Sequence, residues 1–254
     1  MHRNRHRPTN DWDLYSAAFS GHHALRQVKL VESSSTGTHH PLQTTARQQD
    51  FLDDCEARGL KAFEACPFYL GERMAARLVR LSFPSLRLIA LLRNPRERTI
   101  SAFNDYVRVG RIRGERASTE GMEEMLQEKL AMLDRGEHAT EDFEVRIVTS
   151  GIYIYGLEEW GRQWPSSQLL VLRSEDLFLH TGRVMSEVHS FLGLDPRSSP
   201  KWEVKNRNLE RYKSRATGKL EGALDLFFAP YNARLYSWLH RRGIDFQPWP
   251  NATA

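Results

Sequence analysis

The run Leu86-Arg-Leu-Ile-Ala-Leu-Leu92 is almost continuously apolar and stops at Arg93-Asn94-Pro95. It is too short for a stable helix and lacks the polar alternation of a strand with one wet face. It therefore predicts a strand buried on both faces of a parallel sheet. Asn94 is a good N-cap, and Pro95 has its φ preset for the first helical position. Ile100, Phe103 and Val107 then fall on one side of a helix that ends at Gly110. A strand, a tight turn and a helix in that order restrict the chain to an α/β fold. In such folds ligands sit at the carboxyl end of the strand, against the N-terminus of the following helix.

The alternation continues on both sides of this unit. Helices are predicted over residues 45–58, with Phe51, Leu52 and Cys55 on one face and Gly59 as the stop, and over 71–81, with Met74, Leu78 and Leu81 at helical spacing before Pro84. A helix over 119–133 carries Met122, Met125, Leu126, Leu130 and Leu133, which read as a core stripe. Another, over 151–160, leads through Trp164-Pro165 to a second buried strand, Gln168-Leu-Leu-Val-Leu-Arg173. A helix over 184–192 ends at Gly193, a basic loop spans 201–219, and a final helical pair is broken at Pro230. The expectation is one domain over 1–254, a three-layer α/β/α arrangement around a central parallel sheet. Residues 1–43, rich in His, Ser and Thr, read as loop or disordered.

Composition removes several function classes. With 254 residues, 40% hydrophobic and 10% aromatic, the chain is too apolar to remain disordered throughout. The longest apolar run falls far short of the ~20 residues of a membrane helix. The charged start Met1-His-Arg-Asn-Arg-His-Arg7 has no apolar stretch behind it, so the chain by itself reads as soluble, with no signal or anchor. Lys+Arg 36 against Asp+Glu 32 leaves +4, an arginine-weighted excess that favours an anionic partner. Nucleic acid is not that partner, because no helix-turn-helix, RRM or zinc signature is present. The adjacent pairs His22-His23 and His39-His40 lack the companion ligands a metal site needs, so no metal is expected. Cys55 and Cys66 read as reduced and packed. No P-loop, dinucleotide fingerprint, nucleophile elbow or zincin motif occurs.

The Arg93 turn carries chemistry. An arginine at the tip of a buried strand, beside a capped helix N-terminus, would combine a fork of donors with free backbone N–H groups. Ser101 lies seven residues after Asn94, and at about 100° per residue Asn94, Arg98 and Ser101 share a helix face. A cation, an amide-lined helix end and a hydroxyl on one face suit a phosphate. The segment Arg108-Val-Gly-Arg-Ile-Arg-Gly-Glu-Arg116 follows, and is read either as one wall of an anionic acceptor groove or as a solvated connector.

These residues resemble a known family. Leu91-Leu-Arg-Asn-Pro-Arg-Glu-Arg-Thr-Ile-Ser101 is similar to the L-R-(N/D)-P-x-E-R-x-x-S motif of sulfotransferases that use PAPS (3′-phosphoadenosine 5′-phosphosulfate), in particular the carbohydrate enzymes of the heparan sulfate and N-acetylgalactosamine 4-sulfate 6-O types. In order along the chain, Phe63-Glu-Ala-Cys-Pro-Phe-Tyr-Leu70 resembles G-E-x-S-P-x-Y-L. Gly151-Ile-Tyr-Ile-Tyr with Trp160 resembles G-x-Y…W, and Leu170-Val-Leu-Arg-Ser-Glu-Asp-Leu177 resembles L-x-L-x-x-E-D-L. Phe191-Leu-Gly-Leu194 follows, and Phe227-Phe-Ala-Pro-Tyr-Asn-Ala-Arg-Leu235 is similar to the closing F-(Y/F)-x-P-(F/Y)-N-x-(R/K)-L. The resemblance spans residues 61–249. It implies a P-loop-NTPase-like sulfotransferase fold, PAPS as co-substrate, and a glycan acceptor, an anionic polysaccharide, in the Golgi lumen or at its membrane. Arg93 and Ser101 inherit the 3′-phosphate. Lys213, Ser214 and Arg215 are the nearest counterpart of the family's S-K-G-R loop, which wraps the nucleotide.

One departure stands out. The family's glycine-rich 5′-phosphosulfate loop, near G-x-x-K-x-G-T-(T/S), has no counterpart here. Gly37-Thr-His-His lacks both the preceding apolar strand and the lysine, and no catalytic base can be assigned. The expectation is an N-terminally truncated carbohydrate sulfotransferase. The alternative is a non-catalytic relative that binds nucleotide or anionic glycan.

Overall fold

The computed structural model describes Phe63 and residues 65–137, 142–195 and 216–250. The described residues from Leu70 onward fall in one compact unit and those before it in another. The elements below belong to the first. They are α1 (Arg73–Ser82), β1 (Leu88–Leu92), α2 (Pro95–Arg108), α3 (Thr119–Asp134), α4 (Phe143–Thr149), α5 (Tyr153–Gln163), β2 (Leu169–Arg173), α6 (Ser174–Leu179), α7 (Thr181–Leu192) and α8 (Gly218–Arg241).

β1 and β2 pair in parallel, in register from Leu88 opposite Leu169 to Leu92 opposite Arg173. This is the α/β pairing the two apolar runs predict. β2 is covered as expected, with Leu169, Val171 and Leu172 buried. Among the described residues β1 is covered on one face only. Leu92 is buried and Leu88 and Ala90 pack on the core, whereas Ile89 and Leu91 remain 42% and 46% exposed. A continuous apolar run does not reveal which of its faces has a partner.

The helices supply most of the core, including Phe103 of α2, Met122 and Leu126 of α3, Leu157 of α5 and Leu224 and Phe228 of α8. α1 begins where the Glu72 carboxylate accepts from the Met74 N–H at 3.2 Å. Its packed face differs from its apolar stripe. Ala75 and Ala76 are buried, whereas Met74, Leu78 and Leu81 are exposed. Two small residues let the backbone of α1 approach α5 closely, and that contact decides the orientation. α4 is an element the apolar pattern did not announce. Asp142 caps it, accepting from Glu144 N–H at 2.8 Å.

α8 runs unbroken through Pro230, where the sequence predicts two helices. Proline removes one ladder hydrogen bond, and the carbonyl it strands belongs to Leu226, which is 78% exposed and open to water. Leu220, Leu224 and Phe228 before the proline and Leu235 and Leu239 after it are all buried in one core, and this packing outweighs the lost bond.

Beside α3 lies a knot of charge. The ammonium of Lys129, 5% exposed, contacts Glu128 at 3.1 Å, Asp142 at 3.1 Å and Glu144 at 3.2 Å, and Arg116 reaches Glu144 at 3.0 Å. It pins the start of α4 to α3.

Candidate functional site

Because Leu92 pairs with Arg173, Arg93 and Ser174 leave the sheet together at the carboxyl ends of two parallel strands. Pro95 then opens α2. The sequence predicts free backbone N–H groups at this helix end, and the structure corrects that. The Asn94 side-chain oxygen accepts from Arg96 N–H at 3.0 Å and Glu97 N–H at 3.4 Å, and Pro95 has no N–H. The Asn94 N–H donates to Glu175 Oε1 at 2.8 Å. A cap this complete consumes the donors an anion would otherwise meet. What remains is the helix dipole and the side chains.

Three arginines on this stretch have three different fates. Arg96 is neutralised by Asp225 at 2.7 Å and Glu97 at 3.2 Å. Burial works against its charge, but Asp225, Glu97 and Glu221 outweigh burial and raise its pKa. Arg98 donates to the Ile147 carbonyl at 2.9 Å and holds α2 to α4. The half-buried Arg93 guanidinium makes no hydrogen bond or ion pair among the described residues. Ser101 is half-buried on α2, about 10 Å along the axis from Asn94, and its hydroxyl makes no hydrogen bond among the described residues. Arg93 and Ser101, to which the resemblance gives the 3′-phosphate, thus both carry polar groups that are uncommitted among the described residues. Lys213, Ser214 and Arg215 lie outside the described residues.

The turn is held by residues to which the sequence reading assigned no role. The Tyr153 hydroxyl donates to the Arg93 carbonyl at 2.9 Å. Burial pushes its pKa up to about 12, so it stays a neutral donor. Gly151 permits this approach, since a Cβ there would stand 2.9 Å from the Phe228 ring and 3.1 Å from the Pro95 Cβ. Glu175 accepts Trp249 Nε1–H on its second oxygen at 3.1 Å. Trp249 is buried against Tyr153, Tyr236 and Phe246, with its own N–H donating to the Tyr236 hydroxyl at 3.1 Å. Tyr153 and Glu175 sit inside two of the segments that carry the family resemblance. Their partners lie 60 and 81 residues away, which no local pattern reports.

The basic segment after α2 is largely occupied with its own neighbours. Arg108 pairs with Asp105 at 2.5 Å, Arg113 donates to the Gly110 carbonyl, and Arg116 pairs with Glu144. Among the described residues no three His, Cys, Asp or Glu side chains gather as a metal site would need, and no helix is long and apolar enough to cross a membrane.

Residues 30–224 match the family described as Sulfotransferase domain. Among curated proteins, the chain is 27% identical over 170 residues to heparan sulfate glucosamine 3-O-sulfotransferase 6 of Homo sapiens, covering 61% of this chain and 46% of that protein. It is 23% identical over 207 residues to the bifunctional heparan sulfate N-deacetylase/N-sulfotransferase 1 of Caenorhabditis briggsae, covering 74% of this chain and 24% of that protein. The chain therefore spans less than half of the first relative's length and about a quarter of the second's. Among solved structures, a sulfotransferase from Alicyclobacillus acidocaldarius superposes with a TM-score of 0.52 at 23% identity, over 70% of this chain and 63% of that one. The fold is shared with that structure.

Proposed function

The chain belongs to the sulfotransferase domain family, and from that premise we propose that it transfers a sulfuryl group from PAPS to a hydroxyl or amine of a glycan. The observation that carries this reading is the uncommitted Arg93 guanidinium at the carboxyl end of β1. Arg96 and Arg98 are equally close in sequence but already occupied. A half-buried guanidinium without a counter-charge, beside the positive end of a helix, suits a phosphate. Arg93 therefore takes the 3′-phosphate of the nucleotide, and the Ser101 hydroxyl supplies a further donor on the same helix. Lys213, Ser214 and Arg215 close over the nucleotide.

PAPS supplies sulfur already bonded to a good leaving group, the 5′-phosphate oxygen. The chain's contribution is to hold the nucleotide in line with the acceptor, and fixed positions and fixed charges account for much of the catalysis in such transfers. No residue is assigned as the base. The two curated relatives named above are both heparan sulfate enzymes, which supports an anionic polysaccharide as the acceptor and the Golgi lumen as the compartment.

Calorimetric titration with adenosine 3′,5′-bisphosphate tests the site. Arg93→Ala should weaken binding by about 1.5–3 kcal/mol, roughly ten- to a hundredfold. Equal affinity in the variant would remove Arg93 from the site. A second reading, a relative that binds nucleotide without turning it over, uses the same Arg93 site. Transfer of labelled sulfate from PAPS to N-desulfated heparan sulfate decides between them. Binding without transfer selects the second.

A further inference from the structure

We infer that Glu175 is a positioning residue for phosphate binding: it fixes the Arg93–Asn94 peptide and ties it to residues 244–250. The inference rests on the nucleotide reading above. A carboxylate beside an anion-binding turn repels the anion, so its presence there calls for a compensating role.

The geometry supplies that role. The carbonyl of Arg93 and the N–H of Asn94 belong to one peptide plane. Tyr153 donates to the carbonyl at 2.9 Å, and Glu175 Oε1 accepts from the N–H at 2.8 Å. Pinned from both ends, the plane cannot rotate, and the direction in which the Arg93 side chain leaves the backbone is set. The plane's two supports share a brace. Trp249 donates to Glu175 Oε2 at 3.1 Å and packs its ring against Tyr153, centroids 6.1 Å apart. Residues 244–250 are themselves held by Arg173, which donates to the Gln247 carbonyl at 3.3 Å, and by Tyr236. Glu175 is thus an acceptor that serves the scaffold on both oxygens, and it acts on the ligand through Arg93.

The test titrates adenosine 3′,5′-bisphosphate into wild type, Glu175→Ala, Glu175→Gln, Arg93→Ala and the Glu175→Ala/Arg93→Ala double variant, with thermal unfolding run alongside. Glu175→Ala should bind about tenfold more weakly, the scale of a lost charge-assisted hydrogen bond. Glu175→Gln should lose less, because its amide oxygen restores one of two acceptors. In the Arg93→Ala background the Glu175 change should add little, since residues acting through one another are non-additive. Unchanged or tighter binding in Glu175→Ala overturns the inference, as does a full additive loss in the double variant. If Glu175→Ala does not fold, Glu175→Gln and Trp249→Phe carry the same comparison. If wild type itself does not bind, the nucleotide reading fails on its own, and amide exchange at Asn94 decides the role of Glu175. Faster exchange in the variant supports the clamp, and unchanged exchange overturns it.

Discussion

Lys129 and Arg93 are both cations held away from bulk water, and their surroundings differ completely. Lys129 meets three carboxylates within 3.2 Å, whereas Arg93 meets none among the described residues. A charge surrounded by partners has no capacity left for a ligand, so it serves the fold. A charge with a fixed backbone and no partner costs the fold something and is available to an outside anion. Burial alone would have ranked Lys129, 5% exposed, above half-buried Arg93 as the notable residue. Saturation separates them.

The largest effect that sharpens this contrast is expected at the knot. Lys129→Met leaves Asp142 without its buried cation and Glu144 with Arg116 alone, and should destabilise the chain by about 3 kcal/mol. Bisphosphate binding by the folded fraction should be unchanged. The ammonium is held above the ordinary lysine pKa: burial opposes its charge, and hydrogen bonds to Asp142, Glu128 and Glu144 outweigh that. Its contribution is therefore fully present below the unfolded lysine value, about 10.4, and is lost as pH rises through the higher folded value. Denaturant titrations from pH 9 upward check the sign: wild type should lose stability on the alkaline side, and the variant should lose less.

Arg93→Ala should do the reverse. It should lower bisphosphate affinity as stated above and leave the thermal midpoint nearly in place, because no internal partner is lost. A large drop in stability would break the contrast. Tyr153→Phe ranks next, costing about 1 kcal/mol through the lost hydrogen bond to the Arg93 carbonyl. Since the folded tyrosine ionises only near 12, against about 10 in the unfolded chain, its stabilisation is intact below pH 10 and fades toward pH 12. The variant should lose that portion of the alkaline slope. The smallest effect is expected at Arg108→Ala, whose pair with Asp105 is exposed on both sides. About 0.5 kcal/mol or less, with affinity unchanged, is the expectation.

The strand, the turn and α2 were legible because each rests on neighbours in sequence: an apolar run, an N-cap, a proline with its φ preset. Arg93 and Ser101 were legible through the family motif, and both prove uncommitted. Other features were not. The open face of β1 depends on which elements cover it, and an apolar run is the same either way. α1 packs through Ala75 and Ala76 because close approach of backbones outweighs the larger stripe of Met74, Leu78 and Leu81. Pro230 stays inside α8 because buried side chains on either side of it decide the helix. The expected amide donors at the turn are taken by Asn94 from within and by Glu175 from 81 residues away. A sequence shows that a cap can form, but not that a distant carboxylate will take the one donor the cap leaves.

The in-register pairing of β1 with β2 also has a kinetic side. Both supports of the Arg93–Asn94 peptide arrive from distant chain, so the site exists only after long loops have closed, and closure of that kind slows folding. An anion that requires the finished turn has nothing to bind on the way there. Added bisphosphate should therefore leave the refolding rate unchanged and slow unfolding alone, with all of the ligand's stabilisation appearing in the lifetime of the native state.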